Sequence, residues 1–212
     1  MTQEELVARL SRLDTAGAAD ARKGFGVLDP AIQSVTPGLK LAGPTFTVKC
    51  YPGSIITVHK ALLEAAPGDV LVVDGESDGR AGALFGELMG REARDRGFAG
   101  IVIDGPVRDR AGLIRLSFPT FARQVTPRVG VNRRLGPTQI PVSVGEVVVN
   151  PGDYILADDD GVIVIPRADL VNVVAAVEAI EEKERGIASA IDRHERLADI
   201  LGMRAVIEAG GA

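Results

Sequence analysis

The chain has 212 residues, of which 46% are hydrophobic and 25% charged, and its formal net charge is −5 at pH 7. This length is typical of one domain with or without a short appendage. The acidic balance argues against a large nucleic-acid surface, and no apolar run approaches the roughly 20 residues that span a bilayer. A single cysteine, Cys50, excludes an internal disulfide and a cysteine metal cluster. Its strand-like surroundings predict a small buried residue.

The hydrophobic pattern predicts helices, then β-α-β-α-β, then a β-rich stretch, then helices. Residues 2–13 repeat leucines at helical spacing, and Asp14 or Thr15 caps a second short helix that ends near Ala21. Glycine and proline indicate mostly loop over 24–43. Strands are predicted over 44–51, 69–74, 99–104, 119–123, 141–149, 153–158 and 161–165, and helices over 54–66, within 81–97, over 167–184 and over 187–208.

This order of elements is typical of a mixed α/β domain with a layered or barrel-like sheet. Strands that alternate with helices predict parallel pairing through crossover helices. Asp159-Asp160-Gly161, between the last two strand-like runs, predicts a hairpin. We predict an α/β domain over 1–186 and a C-terminal helical extension over 187–212, which forms an exposed appendage or an arm between subunits.

The first candidate site follows the buried strand in Ile-Val-Ile-Asp-Gly-Pro-Val-Arg-Asp at 101–109. Gly105 and Pro106 predict a turn that projects Arg108 and Asp109 over the strand end. The planar fork of arginine suits a carboxylate, and an aspartate oxygen suits Mg²⁺ or Mn²⁺. Together they are suited to an α-keto acid. The alternative is a surface ion pair, or a helix cap by Asp109, of small value to stability.

The second candidate site lies in the glycine-rich stretch 74–89, which follows the preceding strand. A helix that begins near Gly86 leaves free amides on residues 86–89, and these favour an anion such as a carboxylate. A helix that begins at Ala81 fits the apolar stripe equally well and removes that anion site. Periodicity alone does not distinguish the two.

Other reactive residues give weaker patterns. His59 and His194 are too far apart in sequence for zinc spacing, and their contexts predict a structural and a solvated residue respectively. Lys49 and Lys60 have the chemistry for a Schiff base, but no neighbouring residue indicates a lowered pKa. The P-loop motif and the Gly-x-Gly-x-x-Gly motif are absent from the sequence.

Several motifs, taken in order, resemble the RraA-like family, which includes 4-hydroxy-4-methyl-2-oxoglutarate aldolases and the regulators of ribonuclease activity. They cover roughly residues 15–178. The motifs are Phe85-Gly86-Glu87-Leu88-Met89, Arg-Gly-Phe-Ala-Gly-Ile-Val-Ile-Asp-Gly at 96–105, Val107-Arg108-Asp109, His59-Lys60-Ala61-Leu62, the run 67–74 and the runs within 151–162.

The resemblance implies a swivelling-domain fold with α/β/β layers, a mixed sheet and flanking N- and C-terminal helices. It implies trimers or pairs of trimers with sites at subunit boundaries, where a neighbouring chain contributes a residue. It also favours the helix start at Gly86. Asp109 is implied as the ligand of Mg²⁺ or Mn²⁺. The implied substrate-binding residues for pyruvate are Arg108 and the backbone of Gly86, Glu87, Leu88 and Met89.

The implied catalytic residues are Arg108, Asp109 and Glu87, with Glu87 holding a metal-bound water. Many family members have Asp at that position, so Glu87 is a departure. The implied function is a metal-dependent lyase that cleaves 4-hydroxy-2-oxo acids to pyruvate and decarboxylates oxaloacetate through the same enolate. The alternative is a non-catalytic protein that regulates a ribonuclease by binding it. In either case we expect a cytoplasmic protein.

Overall fold

The computed structural model describes residues 2–76 and 81–211. The helices in these ranges are α1 (Gln3–Leu10), α2 (Thr15–Ala21), α3 (Ile56–Glu64), α4 (Glu87–Asp95), α5 (Arg110–Leu116), α6 (Leu170–Asp192), α7 (Leu197–Ile200) and α8 (Arg204–Glu208). The strands are β1 (Gln33–Ser34), β2 (Leu41–Lys49), β3 (Val70–Asp74), β4 (Gly100–Val107), β5 (Thr120–Val125), β6 (Val142–Val144), β7 (Val147–Val149), β8 (Tyr154–Asp158) and β9 (Gly161–Ile165).

Seven strands form one mixed sheet in the order β1-β5-β4-β3-β2-β8-β9. The neighbours from β2 to β5 are parallel and are connected through α3, α4 and α5. On one side of them β1 pairs antiparallel with β5, and on the other β8 pairs antiparallel with β2. β8 and β9 form the predicted hairpin, in which Asp158 pairs with Gly161. The predicted layered α/β fold with a mixed sheet is therefore confirmed.

Three apolar clusters separate the layers of the fold. The first lies between α3–α5 and one face of the parallel strands, and it includes Val73 and Leu113. The second lies on the opposite face, where Val72 meets the β6–β7 pair at Val144. The third lies between β8–β9 and α1, α2 and α6, with Val174 at its centre. The helices over 2–21 and from 170 onward thus flank the sheet on a different side from α4 and α5.

Two predicted elements are wrong in detail. The single strand predicted over 141–149 is a hairpin, because Gly145 and Glu146 both have positive φ (54° and 65°) and make the tight turn between β6 and β7. The helix predicted over 187–208 is instead the end of α6 followed by the short helices α7 and α8. His194, with φ 69°, and Gly202, with φ 68°, adopt conformations that a continuous helix excludes.

The predicted domain boundary after residue 186 falls inside α6, which runs without interruption to Asp192. The division of the chain at that point stays a prediction. The segment after α6 exposes several apolar side chains, namely Leu197, Leu201, Met203, Val206 and Ile207. Among the described residues, none of the helices combines the length and the apolar character needed to cross a lipid bilayer.

Cys50 is fully buried, as predicted. Burial raises the pKa of its thiol to about 12, against a smaller lowering by the Thr57 hydroxyl. Because the folded pKa lies above the unfolded value near 9, this thiol favours the folded state below pH 9, and that contribution is lost as the pH rises from 9 towards 12.

We expect Cys50 to react with a disulfide reagent at pH 8 at least about a hundredfold more slowly in the native protein than in urea, since only the thiolate attacks. Stopped-flow absorbance measures both rates. Equal rates in the two conditions would contradict the buried position.

Candidate functional site

Helix α4 begins at Gly86. The residues before it are extended: Ala83 pairs with Val129, Phe85 pairs with Val107, and Gly86 itself is extended with φ −161°. The first bond within the helix joins the Gly90 amide to the Gly86 carbonyl at 2.9 Å. The start at Gly86 is therefore confirmed, and the alternative start at Ala81 is wrong. The amides of the first turn, which precede that bond, point away from the helix at its positive end.

Arg108 and Asp109 lie directly against this helix end. The Arg108 amide donates to the Phe85 carbonyl at 2.9 Å, which fixes the chain after β4 beside the start of α4. The Glu87 amide lies 3.4 Å from Asp109 Oδ2. A Cβ atom on Gly86 would lie only 2.8 Å from Arg108 Cγ and from Asp109 Oδ2. A larger residue at position 86 would therefore have to displace the Arg108 and Asp109 side chains.

The Arg108 and Asp109 side chains form an open ion pair. Arg108 Nε lies 3.2 Å from both carboxylate oxygens of Asp109, and the side chains are 38% and 37% exposed. In the part of the chain that the structure describes, the terminal nitrogens of Arg108 have no polar partner. An exposed pair of this kind contributes about 1 kcal/mol or less to stability. Both groups thus retain capacity for a ligand.

Asp109 has a left-handed backbone conformation, with φ 57° and ψ 39°, at the N-cap position of α5. Residues other than glycine rarely adopt this conformation, although Asp and Asn tolerate it better than most. Its side chain makes no cap hydrogen bond to α5. The predicted alternative of a helix cap by Asp109 therefore does not account for its position. Instead the carboxylate faces the start of α4.

The amide and the side chain of Glu87 point in different directions. The amide faces Asp109, while the carboxylate lies over Gly112 in α5. Arg91 Nη2 contacts Glu87 Oε1 at 2.6 Å, and Arg115 Nη2 contacts Glu87 Oε2 at 3.3 Å. The Glu87 side chain is only 23% exposed. The carboxylate thus lies against α5, where it contacts Arg115, and it also pairs with Arg91 of its own helix.

The remaining predicted site residues follow in the first turn of α4. Leu88 is 80% exposed, and the side chain of Met89 packs partly buried against the first apolar cluster. The predicted contribution of both residues is the backbone amide. The structure therefore brings together all the predicted site residues: Gly86, Glu87, Leu88, Met89, Arg108 and Asp109.

Sequence reasoning missed a polar cavity at the ends of the parallel strands. It has a volume of about 470 Å³ and is lined by Asp29, Lys49, Asp74, Glu76, Asp104, Arg123, Ser143 and Glu146. Two carboxylates that line it, Asp74 and Asp104, occupy paired positions in β3 and β4. They follow the apolar residues of the second cluster along each strand, so the cavity lies on the face of the sheet opposite the first cluster. A repeated strand-Asp-Gly ending was the available signal.

Lys49 lies in this cavity but is not a Schiff-base candidate. Its Nζ lies 2.9 Å from Asp74 Oδ2 and 3.2 Å from Glu76 Oε1. Burial lowers the pKa of Lys49, but the hydrogen bonds to the two carboxylates outweigh burial, so the pKa is raised above its usual value. An amine nucleophile needs the opposite shift. Lys60 pairs with Glu64 at 2.6 Å, and both histidines are exposed.

Comparison with known proteins decides the family. A family model described as RraA-like, Aldolase/RraA, matches residues 14–164. The chain belongs to the RraA-like family. A relative from Halalkalibacterium halodurans, which carries the provisional name 4-hydroxy-4-methyl-2-oxoglutarate aldolase, is 31% identical over 210 residues, covering 98% of this chain and 97% of the relative.

Solved structures of similar proteins share the RraA-like fold. An uncharacterized protein from Pseudomonas syringae pv. tomato is 28% identical with a TM-score of 0.85, over 93% of each chain. RraAS2 of Streptomyces coelicolor, described as an unusual member of the RNase ES inhibitor RraA family, is 30% identical with a TM-score of 0.78. That match covers 87% of this chain and 97% of the other. The RraA-like family thus includes proteins named as aldolases and proteins named as inhibitors.

Proposed function

We propose that the protein is a divalent-metal-dependent lyase that cleaves 4-hydroxy-2-oxo acids, of the 4-hydroxy-4-methyl-2-oxoglutarate type, to pyruvate, and that it also decarboxylates oxaloacetate. One observation carries the proposal: the Asp109 carboxylate and the Arg108 guanidinium meet the amide end of α4, with the Glu87 amide 3.4 Å from Asp109 Oδ2. A cation site, an anion site and helix amides in one place suit a short keto acid.

Binding of the substrate carboxylate is assigned to Arg108 and the first turn of α4. The terminal nitrogens of Arg108 offer a planar pair of donors for a carboxylate. The amides of Glu87, Leu88 and Met89 add donors at the positive end of the helix. The side chain of Arg108 is held by Asp109 through Nε, so its terminal nitrogens are oriented before substrate binds. This arrangement positions the 2-keto group near Asp109.

The residues present fit a divalent ion, although no three His, Cys, Asp or Glu side chains within residues 2–76 and 81–211 cluster as a metal site. Mg²⁺ commonly uses only one or two protein carboxylates and keeps several waters. Asp109 supplies a hard, partly exposed carboxylate, and we assign the ion to it. A divalent ion there supplies positive charge that stabilises the enolate oxygen as the carbon–carbon bond breaks.

Aldol cleavage needs one proton removed from the substrate and one added to the product, whereas decarboxylation needs only the added one. In aldol cleavage the 4-hydroxyl loses its proton, the C3–C4 bond breaks, and its electron pair forms the enolate of pyruvate, which takes a proton at C3. In oxaloacetate the bond to the departing CO₂ breaks instead and gives the same enolate. Glu87, through its carboxylate or an intervening water, is the group proposed to move the proton. Arg108 remains charged throughout and offsets the growing negative charge.

A site at a subunit boundary is part of the proposal. This part rests on the family resemblance; Leu88, in the first turn of α4, is 80% exposed, so the surface beside the site is open to a neighbouring chain. We propose a homotrimer or a pair of trimers. Light scattering on the eluting protein measures the mass of the assembly, and a monomer would contradict this part of the proposal.

A substrate panel tests the proposed reaction. We expect pyruvate release from 4-hydroxy-2-oxo acids and from oxaloacetate with Mg²⁺ or Mn²⁺, loss of that release in EDTA, and recovery when excess metal is added back. Coupled oxidation of NADH by lactate dehydrogenase measures pyruvate, and oxaloacetate controls without enzyme correct for its spontaneous decarboxylation. Full activity in EDTA would contradict the metal role.

A protein that regulates a ribonuclease by binding it is the second candidate. The similarity to RraAS2 at a TM-score of 0.78 supports it. The two candidates differ in outcome: the lyase releases pyruvate, whereas the regulator releases none across the panel and lowers the rate of RNA cleavage by its ribonuclease. We favour the lyase because Arg108, Asp109 and the start of α4 converge as described.

A further inference from the structure

Next to the site, helix α5 contains a glycine whose backbone conformation does not require glycine. Gly112 is buried inside α5, and its φ is outside the left-handed region that requires glycine. Glycine in a helix interior is less favourable than alanine. A Cβ atom at Gly112 would lie 2.1 Å from Glu87 Oε2, 2.4 Å from Cδ and 2.7 Å from Cγ. The space above Gly112 is therefore filled by the end of the Glu87 side chain.

The same carboxylate is fixed from two sides. Arg91, one turn further along α4, contacts Oε1 at 2.6 Å, and Arg115, from α5, contacts Oε2 at 3.3 Å. Arg115 is the partner that connects the two helices, since Arg91 and Glu87 belong to the same helix. Gly112 leaves space for the Glu87 carboxylate, and Arg115 orients it. We call Gly112 and Arg115 together the seat of Glu87.

The seat places Glu87 next to Asp109. The Glu87 carboxylate lies over Gly112 in α5, three residues after Asp109 in the chain. The Glu87 amide, at the other end of the same residue, contacts Asp109 Oδ2 at 3.4 Å. Fixing the Glu87 side chain therefore also fixes the first turn of α4 against Asp109.

We propose that Gly112 and Arg115 are positioning residues, which hold the Glu87 carboxylate against α5 and thereby the first turn of α4 against Asp109, and so set both the affinity of the site for a divalent ion and the rate of the proposed cleavage. The inference rests on the proposed function for its kinetic part only. Residues that orient the groups around a metal ion, without binding the ion themselves, typically lower metal affinity by about 10- to 100-fold when they are removed. The expected effect is larger on metal affinity and kcat than on KM, since Arg108, which is assigned to the substrate carboxylate, is untouched.

The test is Gly112→Ala, with Gly186→Ala as the matched control. Gly186 is also a helix glycine, in α6, where an added Cβ meets nothing within 4 Å. We expect Gly112→Ala to keep a thermal midpoint at or above that of the wild type, because a flexible side-chain end gives way and alanine favours the helix. We expect it to bind Mn²⁺ about tenfold more weakly, by electron paramagnetic resonance of free Mn²⁺, and to lose about tenfold in kcat. Gly186→Ala should change neither.

Further variants test whether the change in Mn²⁺ affinity is transmitted through the Glu87 carboxylate. Arg115→Ala should weaken Mn²⁺ binding severalfold, and Arg115→Lys should restore part of it. In a Glu87→Ala background, Gly112→Ala should cause no additional loss, because the group it displaces is gone. An equal loss in that background, or wild-type Mn²⁺ affinity in Gly112→Ala, would overturn the seat.

The outcomes separate this inference from the proposed reaction. If the Gly112 and Arg115 variants bind Mn²⁺ more weakly but the wild type releases no pyruvate, the seat is supported and the lyase is overturned. Pyruvate release that is unchanged in Gly112→Ala would support the lyase and overturn the seat. A wild-type protein that neither binds Mn²⁺ nor releases pyruvate would overturn both.

Discussion

The Asp109→Asn variant is expected to release pyruvate at least about 100-fold more slowly than the wild type, because it loses the charge assigned to holding the divalent ion. That factor corresponds to about 2.7 kcal/mol of transition-state stabilisation. Asparagine is nearly the same size and also tolerates the left-handed conformation of residue 109, so the fold should be kept. Initial rates with saturating Mg²⁺ and Mn²⁺, together with circular dichroism, measure the effect.

The control for this prediction is Asp95→Asn. Asp95 is an exposed aspartate at the end of α4 that pairs with Arg94 at 3.4 Å, and its replacement should leave the rate unchanged. An Asp109→Asn protein that keeps more than a tenth of the wild-type rate would contradict the assignment of the metal to Asp109.

The Asp104→Ala variant is expected to lose about 3–5 kcal/mol of unfolding free energy, the usual result of removing one partner from a buried ion pair. Asp104 is 5% exposed and accepts from Arg123 Nε at 2.6 Å and from the Gly145 amide at 2.7 Å. It thereby connects β4, β5 and the β6–β7 turn. Urea denaturation with linear extrapolation measures the change.

The matched comparison is Arg94→Ala, which removes an exposed pair and should cost less than about 0.5 kcal/mol. Replacing Asp104 and Arg123 together by apolar residues should cost less than the sum of the single changes, because each single change deprives the other residue of the partner they share, although Arg123 also pairs with Asp29 at 2.7 Å. The Asp104 hydrogen bond is the main cause that raises the pKa of Arg123, against the lowering effect of burial. A loss below 1 kcal/mol for Asp104→Ala would show that the pair contributes little.

The parallel middle of the fold was predictable because each buried strand ends in a turn and precedes an amphipathic helix. The start of α4 was not predictable from periodicity. Leu84 and Phe85 are buried in an extended segment that pairs beside β4, whereas Leu88 is exposed on the helix. An extended segment followed by a helix produced the same apolar spacing as one continuous helix from Ala81. The family resemblance gave the correct choice because it compares whole motifs.

The candidate site, like the fold, was predictable from the sequence only in part. Arg108 and Asp109 stood out in the sequence because both follow a strand and a Gly-Pro turn. The polar cavity did not, since Arg123 lies 19 positions from Asp104 and 94 from Asp29, and only the sheet register brings them together. The contact between Glu87 and Gly112 was equally hidden, because the space left by a missing side chain depends on how two helices pack.

The left-handed conformation of Asp109 has a consequence for protein engineering. Glycine adopts that conformation freely, so a redesign of this chain for thermal stability would replace Asp109 at an early step and gain up to about 1 kcal/mol. The same replacement would delete the carboxylate that faces α4. Under the proposed function, a more stable variant chosen in this way is expected to be inactive, and residue 109 should be held constant in any such selection.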